Sequence, residues 1–306
     1  MGKVYVIGHK HPDTDSIVAA IAYAHFKGVI DQDDDYIPAR AGELNPETKF
    51  VLDKYNIPVP ELLEDASGKK IILVDHNEMG QVVKGTSEAV ILEIVDHHRL
   101  GDIQTSAPIL FHAEPVGSTS TIIADFYFYH KVPLTKEMAS ILLAAILSDT
   151  VILKSPTTSE KDRVMADKLN EIVGVDLKEF GMEVKSAKSS IKGMTANEVI
   201  MKDFKELKKG STTYGIGQIE VVHYDEAVAR CGELMKELNN IKEAHGYKLA
   251  ILMVTNIIEE ATRLWFAGDA EIIKKALGKE PVDGEAYLPG VMSRKSQVVP
   301  KIQDVL

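Results

Sequence analysis

Histidine and aspartate side chains are concentrated at the ends of predicted strands. Of the ten histidines in the chain, five lie at or just beyond the ends of three short apolar runs, namely His9, His11, His76, His97 and His98. These runs are rich in β-branched residues, as strands buried on both faces require. Aspartates accompany the histidines at positions 13, 15, 75 and 96. Because imidazoles and carboxylates carry protons and bind metals, this placement predicts a chemical site.

The topology of a parallel sheet would bring these side chains together. The carboxyl ends of the strands in an open parallel sheet share one edge, and ligands bind in the crevice outside it. One further acid, Asp149, follows the apolar helical segment 141–147. A single aspartate after a strand most often forms a turn or caps a helix. So many histidines and aspartates at strand ends favour a shared site instead.

The types of these residues indicate a pair of metal ions. Neighbouring carboxylates repel one another, and a cation is the simplest way to keep them ionised together. Carboxylates mixed with imidazoles suit Mn²⁺, Co²⁺, Fe²⁺ or Zn²⁺, whereas sites made only of oxygen suit Mg²⁺ or Ca²⁺. Four carboxylates exceed the needs of one ion, which predicts two metals about 3.5–4 Å apart with one carboxylate bridging them. Such pairs are typical of hydrolysis at phosphorus.

The elements that hold this site alternate between strand and helix patterns. Apolar runs predict strands at residues 4–8, 36–40, 70–74 and 91–95, and helical periodicity covers residues 17–26, 119–129, 136–148 and 160–173. This alternation predicts an α/β fold whose N-terminal, mostly parallel sheet is flanked by helices.

A second, smaller domain is predicted after a change of composition. The stretch 186–193 is small and polar without an apolar stripe, which is typical of a linker. Beyond it, strand patterns at 214–222, 248–255 and 262–267 accompany helical patterns at 225–245 and 270–277. We therefore expect domains at 1–187 and 194–306, joined by a hinge at 188–193, the second being an α/β domain with a mixed sheet.

Composition narrows the classes of partner. The 306 residues and 33.7 kDa exceed one ordinary domain. A formal net charge of −11 argues against nonspecific binding to nucleic acid or to anionic membranes. The single cysteine, Cys231, can form neither an internal disulfide nor a thiolate cluster, and no run of about 18 apolar residues predicts a membrane span. We expect a cytoplasmic protein with no nucleic-acid or membrane partner.

Two groups near the predicted site have two interpretations each. Asp96 and His76 lie beside predicted ligands and either orient imidazoles or hold waters, or make ordinary turn and core hydrogen bonds. The loop 114–119 opens a helix, whose free N–H groups either face an anion or are capped by Ser118.

Four sequence blocks together resemble the signatures of the DHH phosphoesterase superfamily. They are Gly8-His9-Lys10-His11-Pro12-Asp13-Thr14-Asp15, Val74-Asp75-His76-Asn77, Asp96-His97-His98 and Ser148-Asp149-Thr150. With the C-terminal Ser293-Arg294-Lys295-Ser296-Gln297, their spacing is similar to that of the family II, manganese-dependent inorganic pyrophosphatases. The resemblance covers essentially the whole chain.

The resemblance implies specific roles for the site residues. It assigns one metal to His9, Asp13 and Asp75, and a second metal to Asp15, Asp75, His97 and Asp149. Asp75 bridges the two ions, and a bridging hydroxide attacks one phosphorus of pyrophosphate in line. Asp75 and His98 are then the catalytic residues, and the substrate contacts are His98, Lys205, Arg294 and Lys295. Ser296 departs from the family pattern, which more often has a lysine there.

The resemblance also implies cofactors and partners. We expect two Mn²⁺ ions per subunit with Co²⁺ as a substitute, Mg²⁺ bound to the pyrophosphate substrate, and a homodimer formed through the N-terminal domain. A short-chain polyphosphatase or another DHH phosphodiesterase is the alternative with the same metal site. A noncatalytic protein that kept the fold would have lost a ligand or the Arg294-Lys295 pair, and neither is lost.

Overall fold

The computed structural model describes residues 2–306, apart from the side chain of Lys188, and the chain divides into two units at Lys188 and Ser189. The first unit contains β1 (Lys3–Ile7), β2 (Asp35–Arg40), β3 (Glu61–Leu62), β4 (Lys70–Val74), β5 (Val90–Asp96) and β6 (Leu110–Ala113). These strands form one sheet in the order β3-β2-β1-β4-β5-β6, and every neighbouring pair is parallel. The predicted parallel sheet is therefore confirmed.

Six helices accompany this sheet: α1 (Thr14–Ile30), α2 (Pro46–Lys54), α3 (Thr119–His130), α4 (Lys136–Asp149), α5 (Glu160–Val173) and α6 (Leu177–Ser189). Because side chains alternate along a strand, Val4 and Ile72 face the helices, whereas Ile7 and Ile71 face the other side of the sheet. That second side packs against the largely irregular segment around Leu63 and Val82–Val83. Both sides are buried, which explains the nearly all-apolar strands.

The second unit has a five-stranded mixed sheet. After α7 (Ala196–Met201), its elements are β7 (Phe204–Lys209), β8 (Thr212–Val221), α8 (Asp225–Ala229), α9 (Cys231–His245), β9 (Leu249–Asn256), β10 (Ala261–Gly268), α10 (Ala270–Leu277), β11 (Glu285–Pro289) and α11 (Val299–Val305). The strand order is β11-β10-β9-β8-β7, with β8 and β9 parallel and the other pairs antiparallel. The prediction of a mixed sheet in a smaller α/β unit is confirmed.

The stretch 188–193, predicted as a hinge, is partly helical and makes hydrogen bonds to the second unit. Helix α6 continues to Ser189, so the first two residues of 188–193 are helical. Farther on, Ser190 donates to Glu226, and Ile191 is buried, with its carbonyl accepting from Arg230 Nη1 at 2.8 Å. None of the helices formed by residues 2–306 combines the length and the apolar character that crossing a bilayer requires.

Candidate metal centre

Three strand ends of the first unit supply three of the predicted ligands. His9 follows β1, Asp75 follows β4 and His97 follows β5, and these strands are neighbours in the sheet. The Nε2 atom of His9 lies 3.5 Å from Asp75 Oδ2, and the Nε2 atom of His97 lies 3.3 Å from Asp75 Oδ1. Each carboxylate oxygen of Asp75 thus faces a different imidazole. The sheet edge brings these residues together as the parallel topology predicts.

Two helix ends supply the other three predicted ligands. Asp13 caps α1, where its Oδ1 accepts from Ser16 N at 3.0 Å and lies 3.7 Å from His9 Nε2. Asp15 is fully buried in the first turn of the same helix. At the last residue of α4, Asp149 Oδ2 lies 3.7 Å from His97 Nε2.

The turn from β1 into α1 requires a glycine. A Cβ atom at Gly8 would lie 1.9 Å from Ser16 Oγ, the same oxygen that accepts from His9 N at 3.0 Å. Without a side chain at position 8, the strand end and the first turn of the helix approach closely enough to place His9 beside Asp13.

The potential ligand atoms form compact groups. His9, Asp13 and Asp75 make one group, and Asp15, His97 and Asp149 make another; within each group the ligand atoms lie within 4.8 Å of one another. Asp75 also joins His97 and His98 in a third group. All six residues predicted to bind metal therefore belong to one cluster, in which Asp75 is shared.

The hydrogen bonding of His97 fits a metal ligand. Its Nδ1 lies 2.9 Å from the carbonyl oxygen of Val116, and because a carbonyl only accepts, Nδ1 carries the hydrogen. The Nε2 atom is buried without a hydrogen-bond partner in the described part of the chain. Burial lowers the pKa of His97, but the carboxylate of Asp75, 3.3 Å from Nε2, outweighs it and raises the pKa to about 10, so Nε2 must lose a proton before it can bind a metal. Once neutral, an imidazole held in this tautomer and mixed with carboxylates fits Mn²⁺ or Co²⁺.

The start of α3 holds the carboxylate of Asp15. Asp15 accepts hydrogen bonds from Ser118 Oγ at 2.8 Å, Thr119 N at 2.6 Å and Ser120 N at 2.9 Å. In addition, Thr119 Oγ1 donates to Asp75 Oδ1 at 3.0 Å. The anion at this helix N-terminus is thus the carboxylate of Asp15, a predicted ligand, which agrees with the first interpretation of the loop, while Ser118 also caps the helix.

The sequence pattern does not assign these α3 residues to the predicted site. The signal was the run Gly117-Ser118-Thr119-Ser120 at a helix start, which is rich in hydroxyl and N–H donors. The sequence of this run does not identify the anion that such donors face.

The cluster retains protons when no cation is present. Burial lowers the pKa of His9, but hydrogen bonds and charges from Asp13 and Asp75 outweigh it and raise the pKa to about 10. Burial and the charge of Asp75 raise the pKa of Asp15 to about 7, and burial with neighbouring acids raises the pKa of Asp149. Burial acts to raise the pKa of Asp75 too, yet its two imidazole partners bring it below its usual value. Divalent ions would replace these protons.

His98 is oriented by Asp96, which supports the interpretation of Asp96 as an orienting residue. Asp96 is fully buried, and its Oδ1 accepts from His98 Nδ1 at 2.8 Å and from His97 N at 2.8 Å. This hydrogen bond raises the pKa of His98. The side chain of His98 is half exposed and lines a cavity of about 280 Å³ with His9, Asp75, His76, Asn77, Glu78, Gln81 and Arg99. His76 donates from Nδ1 to Val74 O, an ordinary turn bond.

The remaining predicted substrate contacts belong to the second unit. Lys205 on β7 and Lys295 in a turn of π-helix are exposed. The guanidinium of Arg294 donates from Nη2 to both carboxylate oxygens of Asp203 at 2.9 and 3.0 Å, and from Nη1 to the carbonyls of Asp203 and Ile216. Asp203, which the sequence did not single out, fixes the plane of this guanidinium.

The chain turns left-handed immediately after the metal cluster. Val151, Ile152 and Leu153 have φ values of +50°, +57° and +60°. Two of these residues are β-branched, for which this region is strained. Hydrogen bonds from Ile152 N to Leu147 O at 2.7 Å and from Leu153 N to Thr150 Oγ1 at 3.1 Å hold the turn against the end of α4. Asp75 is also left-handed, with φ of +63°.

Comparisons with known proteins cover both units. The DHH family N-terminal domain matches residues 3–146, and the DHHA2 domain matches residues 182–305. A manganese-dependent inorganic pyrophosphatase from Methanothrix thermoacetophila is 46% identical over 303 residues, covering 98% of this chain and 97% of the relative. One from Methanocaldococcus jannaschii is 42% identical over 308 residues, covering 98% of both.

Solved structures give a consistent result. A crystal structure of a Methanococcus jannaschii protein described as a family II inorganic pyrophosphatase has a TM-score of 0.61 at 42% identity and covers 99% of both chains. An exopolyphosphatase-related protein from Bacteroides fragilis has a TM-score of 0.50 at 12% identity, covers 99% of this chain and 92% of its own, and shares the fold.

Proposed function

We propose that this chain, which belongs to the family of manganese-dependent inorganic pyrophosphatases, hydrolyses pyrophosphate to two phosphates. The observation that carries the proposal is the cluster of six carboxylate and imidazole side chains in which Asp75 faces two histidines. His9, Asp13 and Asp75 would hold one Mn²⁺ ion, and Asp15, Asp75, His97 and Asp149 a second. Co²⁺ suits the same donors.

The chemistry divides between the ions and the chain. When bound, two divalent ions supply a deprotonated water near neutral pH and neutralise phosphoryl oxygens. Hydrolysis would form one new P–O bond to an oxygen from water and break the bridging P–O bond of pyrophosphate, giving two phosphates. Asp96 holds the Nδ1 hydrogen of His98, which leaves Nε2 to bind a phosphate oxygen. Because its pKa is raised, His98 has a larger fraction of the cationic form that donates from Nε2.

The second unit would supply positive charge for the substrate. Lys205, Arg294 and Lys295 neutralise phosphate oxygens that the acidic chain would otherwise repel, and Mg²⁺ arrives with pyrophosphate. Within this proposal, residues 1–187 bind metal, 194–306 bind substrate and 188–193 form the hinge. The low cysteine content fits a cytoplasmic location, and the charge of −11 fits the expected lack of a nucleic-acid partner.

A homodimer through the first unit is part of the proposal. Strand β6 is at the edge of the sheet, and its Leu110 and Phe111 are exposed, which favours pairing with a second chain. Light scattering of wild type should give twice the chain mass, and Phe111→Lys should give monomers. A monomeric wild type would contradict the dimer.

A substrate panel tests the activity. Purified protein loaded with Mn²⁺ should release phosphate from pyrophosphate faster than from tripolyphosphate, and should not cut a linear dinucleotide. Asp75→Asn should lower the rate at least 1,000-fold, about 4 kcal/mol in activation free energy, whereas Asp125→Asn, which removes a carboxylate paired with Lys161, should not. Fastest cleavage of the dinucleotide, or no release above a buffer blank, would contradict the proposal.

A further inference from the structure

A buried glutamate lies behind the metal cluster. Glu47 is in the first turn of α2 and is 2% exposed. Its Oε1 accepts hydrogen bonds from Thr14 Oγ1 at 2.7 Å and from Ser148 Oγ. Both hydroxyl groups therefore converge on a single carboxylate oxygen, and they come from segments that are far apart in the sequence.

The two hydroxyl residues are the chain neighbours of proposed metal ligands. Thr14 stands between Asp13 and Asp15 at the start of α1, and Ser148 directly precedes Asp149 at the end of α4. Thr14 and Ser148 are themselves buried. The carboxylate of Glu47 thus connects the two helix ends that carry three of the six proposed ligands, without belonging to the ligand groups.

The charge of Glu47 is only partly compensated. Its Oε2 is buried without a hydrogen-bond partner among the described residues, and Lys185 Nζ lies 3.7 Å away. Lys185 also donates to Ser148 Oγ at 3.1 Å. A buried carboxylate with an unbonded oxygen weakens folding compared with a well-packed apolar side chain. An acid in the first turn of α2 is favoured by the helix dipole, but that effect requires neither the burial of Glu47 nor its two hydroxyl donors.

We propose that Glu47 is a positioning residue for the metal group formed by Asp15, His97 and Asp149. This inference rests on the proposed function, because it takes those residues to be ligands. By fixing Thr14 and Ser148 around one oxygen, Glu47 sets the separation between the backbones of Asp15 and Asp149. Residues that orient ligands in this way typically change metal affinity about 10- to 100-fold when they are replaced.

Direct titration with Mn²⁺ tests the role without an activity assay. In Glu47→Met, which keeps the shape and removes the acceptor, Mn²⁺ affinity at one of the two positions should fall about 10- to 100-fold. Glu47→Gln keeps one acceptor oxygen, so its Mn²⁺ affinity should fall less. This variant replaces Glu47→Met in the test if the methionine protein does not fold. The matched control is Glu93→Met, because Glu93 also accepts hydrogen bonds from a hydroxyl group, that of Tyr23, and from a lysine, Lys27. This control variant should bind Mn²⁺ with the affinity of the wild type.

Two results would separate this inference from the proposed function. Unchanged Mn²⁺ affinity in both Glu47 variants, with or without a lower melting temperature of the metal-free protein, would overturn the positioning role while pyrophosphate hydrolysis stands. A wild type that binds two Mn²⁺ ions, loses one in Glu47→Met and yet releases no phosphate would overturn the proposed function and support the positioning role.

Discussion

Two of the proposed ligands, His97 and Asp15, are held by neighbours that the ligand pattern alone does not reveal. Val116 fixes the tautomer of His97 through its carbonyl, and Ser118 with two backbone N–H groups fixes the carboxylate of Asp15. Such partners restrict each side chain to one orientation, so less conformational entropy is lost when a metal binds. These two side chains are therefore oriented by contacts within the chain itself.

Metal binding should release protons. The pKa of His9 is about 10 in the metal-free chain, so His9 is protonated at pH 7.5 and must lose that proton to become a ligand. Affinity for Mn²⁺ should thus rise with pH between 7 and 10, and it should weaken further below pH 7, where Asp15 takes up a proton. Isothermal titration in two buffers with different ionisation enthalpies measures the released protons.

The expected result is at least one proton released per chain at pH 7.5. His112→Asn, which alters a histidine paired with Glu114 outside the cluster, should release the same number. A binding heat that does not depend on the buffer would show that the ligands are already deprotonated.

Among the elements, the strands and helices that carry ligands could be predicted, and their surroundings could not. The ends of β1, β4 and β5 were predictable because strands buried on both faces are nearly continuous apolar runs. Strand β6 and strand β7 were missed, since these edge strands are short or largely exposed and lack a continuous apolar pattern. The partners of the α3 N-terminus depend on tertiary packing, which a local pattern does not encode.

Removing the cap of α3 should weaken both the helix and the metal site. Ser118→Ala deletes the hydroxyl that bonds Asp15 and Ser120 N, so we expect a loss of about 1 kcal/mol in unfolding free energy. We also expect roughly 10-fold weaker Mn²⁺ binding. Thr195→Ala removes a similar cap from α7 and should cost similar stability with unchanged Mn²⁺ affinity. Equal Mn²⁺ affinity in both variants would refute a role for the α3 cap at the metal site.

The left-handed turn after Asp149 should be relieved by glycine. Val151 is 42% exposed, so Val151→Gly loses little packing, while a left-handed non-glycine residue costs about 1–2 kcal/mol. Since glycine also has a more flexible unfolded state, the net gain should be up to about 1 kcal/mol. Val29→Gly, at an equally exposed helical position, should instead lose roughly 0.5 kcal/mol. Chemical denaturation of both variants measures the difference, and a destabilised Val151→Gly would argue against strain there.

At the scale of the whole molecule, each unit has apolar cores of its own. The cores around α1 and α4 and behind β4 contain only residues of the first unit, and those around β9 contain only residues of the second. The mixed sheet was predictable from the pattern of alternating strands and helices. The division between Lys188 and Ser189 lies within the stretch 188–193 that the polar composition predicts as a hinge, although α6 extends as far as Ser189.

Manganese should stabilise one unit and not the other. All six proposed ligands lie between residues 9 and 149, so saturating Mn²⁺ at about 100 times its Kd should add about 2.7 kcal/mol to the first unit for each independent site. Calorimetry of the full chain should show two unfolding transitions. A chelator should lower the midpoint temperature of one transition and leave that of the other unchanged. Asp75→Asn should remove the shift. A single transition that moves as a whole would contradict separate unfolding.

The two carboxylate oxygens of Asp75 face different imidazoles, so the binding of one metal ion affects the binding of the other. If one side chain serves two ions, occupancy of either position changes the affinity of the other by the same factor. Titration curves for the two ions are therefore thermodynamically coupled: if the first ion raises the affinity for the second, a cell with scarce manganese would hold mostly empty or fully loaded protein, and if it lowers that affinity, singly loaded protein.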